Sequence, residues 1–140
     1  MAGKKYAKQV VQDLWEKSIN PDIVEPIIHF DGERHGGGLN FMLSRTLVAK
    51  PFSMIKAPHK HDFDQIIFFL GSNPQKDHEF DAEIEFFLGD EQEKYVITSP
   101  TAIHIPKGLT HGPLHYKRIG KTVEFVDVCL TPKYVRKPQT

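Results

Sequence analysis

Apolar residues recur along this chain at two different spacings. Between residues 5 and 18, Tyr6, Val10, Val11, Leu14 and Trp15 fall on one helical stripe, which predicts a helix closed by Asn20-Pro21. From Leu39 onward the period shortens. Leu39 to Val48 alternates in part, and Gln65 to Leu70 is an apolar run closed by Gly71-Ser72-Asn73-Pro74. Phe80 to Leu88 alternates and turns at Gly89-Asp90, with Glu93 to Thr98 as the return strand of a hairpin. Ala102 to Ile105 stops at Pro106-Lys107-Gly108, His111 opens another strand, and Val123 to Leu130 is the last clear one.

Short strands without intervening helices predict an all-β single domain, a barrel or jelly roll of two antiparallel sheets. Residues 1–20 would form a helix packed on the outside of a barrel built from residues 21–140. Ile67, Phe68, Phe69, Phe86, Phe87, Leu88 and Phe125 are its expected core and pocket wall.

Composition narrows the class of partner. The 140 residues carry 18 Lys and Arg against 18 Asp and Glu, so the formal charge is zero and no basic stripe invites nucleic acid. No apolar run approaches the ~20 residues that span a bilayer, and the first residues lack the apolar centre of a signal peptide. The single cysteine, Cys129, excludes an intrachain disulfide framework. These features predict a cytoplasmic protein with a small-molecule partner rather than nucleic acid or membrane. His35-Gly36-Gly37-Gly38 does not continue into GK[ST] and reads as a loop.

The histidines change the picture. Side chains alternate faces along a strand, so His59, His61 and Gln65 share one face, while Asp62 and Asp64 point away. His111 follows the Pro106-Lys107-Gly108 turn. Three imidazoles and one amide oxygen suit a divalent transition metal.

These two stretches resemble the motifs of the cupin superfamily. The first, HxHxxxE with a later glycine, appears as His59-Lys-His61-Asp-Phe-Asp-Gln65 with Gly71 downstream. The second, PxGxxHxxxN, appears as Pro106-Lys-Gly108-Leu-Thr-His111, with His115 where asparagine is usual. The resemblance covers roughly residues 39–130. It implies a cupin β-barrel holding iron, zinc, nickel or manganese through His59, His61, Gln65 and His111, and pairing into a homodimer. Two positions depart from the pattern: Gln65 stands for a glutamate, and Ser53 for a glycine. Losing the glutamate leaves the ion's charge uncompensated, which favours an anionic or oxygen-donor ligand.

Candidate catalytic groups follow from position. His115 has the parity of His111 and is the expected general acid/base, with Tyr116 behind it and His104 near the second motif as a further candidate. His29, His35 and His78 belong to no motif and read as ordinary surface or core residues. Arg45 is expected to face solvent, Cys129 to fill core, and Asp127, in an apolar strand, to be paired, at a site edge or facing water. The expected function is a metal-dependent enzyme acting on a small carboxylate, enol or diol. Dioxygenase-type chemistry leads, redox-inert isomerisation, decarboxylation or elimination is the alternative, and a non-catalytic ligand-binding cupin is the rival from another class.

Overall fold

The computed structural model describes residues 3–73, 75 and 79–134, together with the backbone of residues 137–138; His78 lies outside them. Twelve strands are present among these residues: Trp15–Glu16 (β1), Val24–Asp31 (β2), Met42–Val48 (β3), Phe52–Ile55 (β4), His59–Lys60 (β5), Gln65–Gly71 (β6), Ala82–Leu88 (β7), Glu93–Ile97 (β8), Thr101–Ile105 (β9), His111–Ile119 (β10), Val123–Cys129 (β11) and Lys137–Pro138 (β12). They form two antiparallel sheets, ordered β1-β2-β3-β11-β6-β9 and β12-β5-β10-β7-β8, with β4 also pairing β10. One short helix, Gly32–His35 (α1), follows β2. No helix among the described residues is long and apolar enough to cross a membrane.

Alternation decides what each strand buries. In β6, Gln65, Ile67 and Phe69 face inward while Ile66, Phe68 and Leu70 do not. Consecutive phenylalanines are therefore split between faces: Phe69 and Phe86 are fully buried, whereas Phe68 and Phe87 are only partly covered. The core lies between the sheets and joins Val48, Ile67, Phe69, Ile84, Phe86, Leu114, Tyr116 and Phe125.

The N-terminal helix expected from the apolar stripe is not formed. A single 3-10 turn spans Ala7–Gln9, and Trp15 and Glu16 pair instead with Ile28 and Ile27 of β2. Tyr6, Val10 and Trp15 are 65%, 65% and 59% exposed, so most of the stripe finds no cover among the described residues. A segment of this length gains most of its helical stability from such packing, and without it the pairing offered by β2 wins.

Candidate functional site

Strand pairing assembles the histidines. β5 and β10 are antiparallel neighbours, and His59 stands directly opposite His111. Their ring centroids are 4.4 Å apart, and His61, just beyond β5, lies 4.8 Å from His59 and 4.9 Å from His111. One ring nitrogen from each falls within 4.8 Å of the others, and all three residues are buried. The loop before β10 is tied to this cluster, because the Gly108 amide donates to the His61 carbonyl at 2.9 Å. His111 Nδ1–H donates to the Leu109 carbonyl at 2.9 Å, which fixes the tautomer and leaves Nε2 as the electron-pair donor. The Tyr134 hydroxyl lies 3.2 Å from His61 Nε2.

Gln65 comes from the opposite sheet and lines the same cavity, of about 290 Å³, as His59 and His111. Its Nε2 donates to Asp127 Oδ1 at 2.7 Å, so a carboxylate acceptor sets the amide's orientation. Its Oε1 is buried and without a hydrogen-bond partner among the described residues. The carboxyl group missing from position 65 is thus present one hydrogen bond away. Burial pushes the Asp127 carboxyl up, against the opposing influence of Gln65, Cys129 and His29. Asp62 and Asp64 are exposed and point away, as strand parity requires.

A second polar group borders the cavity where β2, β3 and β11 lie side by side. His29 pairs with Ser44, and Ser44 pairs with Asp127. His29 Nδ1 lies 2.6 Å from Ser44 Oγ, and His29 Nε2 lies 3.1 Å from Asp31 Oδ2. Asp31 caps α1 by accepting the Arg34 amide at 2.7 Å, and it also accepts Arg34 Nε–H at 2.7 Å. Burial alone would raise the Asp31 carboxyl, but the Arg34 amide and guanidinium, with His29, hold it below its ordinary range. His29, read from the sequence as an ordinary residue, lines the cavity; no local motif signalled it, since its partners come from other stretches. His35 accepts the Asp31 amide at 3.0 Å.

The three expected catalytic groups sit elsewhere. His115 does not share the face of His111. His111, Leu114 and Tyr116 are buried, because the register shifts around Gly112 and Pro113, and His115 is turned outward to hydrogen-bond Ser53 Oγ at 2.7 Å. Gly112 has φ +92°, and a Cβ there would come within 2.9 Å of Ile55. Tyr116 is a core phenol stacked on Phe52, with centroids 5.4 Å apart, and burial and the Asp127 charge raise its pKa far above the usual value. His104 is exposed on the outer face of β9, opposite Ile66. Arg45 pairs loosely with Glu124, and Cys129 is fully buried.

No protein-family profile and no curated sequence matches the chain. Solved structures do. An oxalate oxidase in complex with glycolate superposes with a TM-score of 0.60 at 14% identity, covering 97% of this chain and 65% of its own. The polyketide cyclase RemF from Streptomyces resistomycificus gives 0.52 at 21% identity, over 97% of this chain and 82% of its own. An uncharacterized protein with a double-stranded beta-helix domain from Klebsiella pneumoniae gives 0.54 at 11% identity, over 86% of both chains. This chain thus spans less than two thirds of the oxalate oxidase. At these identities the likeness concerns architecture, and it agrees with the two antiparallel sheets: the chain has the double-stranded β-helix fold.

Proposed function

We propose that this chain is a metal-dependent enzyme acting on a small oxygen-rich organic molecule, a carboxylate, enol or diol. One observation carries the reading: three buried imidazoles converge beside a cavity of about 290 Å³, near the lower end of ligand-pocket sizes. The donor set fits a transition ion. His111 is held with Nε2 as donor, and the Gln65 amide oxygen is buried without a hydrogen-bond partner among the described residues, so His59, His61, His111 and Gln65 would hold iron, zinc, nickel or manganese. Bound there, such an ion supplies a Lewis-acid or redox centre. The chain's own part is to shape and dry the space around it. Ile67, Phe86, Ile105, Leu114 and Phe125 make an apolar wall, while His29, Ser44, Asp127 and Tyr134 offer polar atoms that orient oxygen substituents.

Oxidative chemistry on a small acid is the favoured branch, supported by the likeness to an oxalate oxidase in complex with glycolate. The polyketide cyclase neighbour supports the redox-inert alternative. A homodimer belongs to the same proposal, supported by the exposed apolar residues Tyr6, Val10, Trp15 and Ile19. Elemental analysis of protein purified without added metal tests the reading. About one transition ion per chain is expected, lost in His59→Ala and His111→Ala. Iron or manganese selects the oxidative branch and zinc the redox-inert one. A metal-free wild type, or variants that keep their metal, would overturn it.

A further inference from the structure

Beside the four proposed metal-holding side chains, the polar group on β2 and β3 lines the same cavity through His29 and Ser44. We propose that Ser44, His29 and Asp31 form a proton relay that serves the cavity as its general base. It would take a proton from an acidic C–H or O–H of a bound keto, enol or hydroxy acid. The proposal rests on the reading above only for where the substrate lies.

The hydrogen bonds set the direction of transfer. Asp31 is held ionised by Arg34, so it can only accept, and His29 must place its ring proton on Nε2 to meet Oδ2 at 3.1 Å. Nδ1 is then bare and accepts from the Ser44 hydroxyl at 2.6 Å. With its proton committed to His29, Ser44 Oγ keeps lone pairs available to the cavity that Ser44 and His29 both line. Transfer is balanced. A substrate proton passes to Ser44 Oγ, the Ser44 proton passes to His29 Nδ1, and the bonding electron pair stays on the substrate. The imidazolium that results faces the Asp31 carboxylate, which does not change protonation.

Asp31 is also fixed from behind. Its Oδ1 takes the Arg34 amide at 2.7 Å, and Arg34 is itself paired with Glu16 at 2.9 Å. The carboxylate therefore cannot swing away from His29, and the cross-strand pairing of His29 with Ser44 keeps the other end in place. General bases held this way contribute about 10²–10⁴-fold.

The test follows deuterium exchange at C3 of 2-oxobutyrate by proton NMR, with metal content and thermal midpoint measured on the same samples. Wild-type protein is expected to exchange faster than buffer, His29→Gln to be slower by about 100-fold, and His29→Ala to regain rate on adding free imidazole, a recovery that a purely structural histidine would not give. Nitrogen-15 NMR of the wild type at alkaline pH is expected to show His29 protonated on Nε2 and bare on Nδ1. The opposite tautomer, no exchange by the wild type, or full exchange by His29→Gln would overturn the relay. Metal analysis keeps the two readings apart: a metal-free wild type whose exchange still depends on His29 overturns the metal proposal and leaves the relay standing.

Discussion

Gln65 donates its side-chain amide to Asp127 at 2.7 Å, diagonally across the β6–β11 ladder and beside the three-histidine cluster. The pairing is that of an amide and an acid, and it would not tolerate two acids. In metal-free Gln65→Glu, two carboxylates would share a site where burial already raises Asp127. One of them would have to bind a proton in the folded state, so stability would fall as pH rises. The variant is expected to lose about 1–3 kcal/mol at pH 7 and to recover part of it at pH 5, read by urea unfolding. A variant as stable as wild type at pH 7 would show that Asp127 does not depend on the amide.

Cys129 lies beside the same acid, with its thiol 3.5 Å from Asp127 Oδ1. Burial first, and then the Asp127 charge and hydrogen bond, push the thiol far above its ordinary range. Folded protein at pH 8 is expected to resist an aromatic disulfide reagent, with one thiol per chain appearing in urea. Rapid labelling without denaturant would contradict the buried placement.

Asp31 gives the opposite dependence. Its carboxyl is held below its ordinary value, so its contribution is complete above that value and is lost as pH falls through the lower folded one. Asp31→Asn is expected to cost about 1–2 kcal/mol at pH 7. The gap from wild type should close in acid below pH 4. A gap that persists undiminished at pH 2 would mean that the charge on Asp31 is not what stabilises α1 and β2.

Gly112 occupies a backbone conformation that side chains resist, and it sits next to His111. With φ at +92° and Ile55 Cγ2 at 2.9 Å from a would-be Cβ, Gly112→Ala is expected to cost about 1–3 kcal/mol. Differential scanning calorimetry should show a midpoint several degrees lower. An unchanged midpoint would mean that the bend around Gly112 relaxes freely.

The three-histidine cluster was legible because it depends on strand parity and two local motifs. His59 and His61 sit two apart, Gln65 is four further on, and the Pro106-Lys107-Gly108 turn places His111 at a strand start. Parity failed at His115 because the register shifts at Gly112 and Pro113, and one displaced residue reverses the face of everything after it. His29, Ser44 and Asp127 were not legible as a group. They belong to β2, β3 and β11, and their adjacency follows from a lateral register that no local pattern encodes. The N-terminal stripe misled for a related reason: its period was helical, but Tyr6, Val10 and Trp15 find no cover among the described residues.

His59 and His111 stand on one wall of the sandwich, while Gln65 stands on the other. A cation gripped by all of them would rivet the two walls together at the mouth, much as a clasp closes a purse. Occupancy and rigidity would then rise and fall as one quantity.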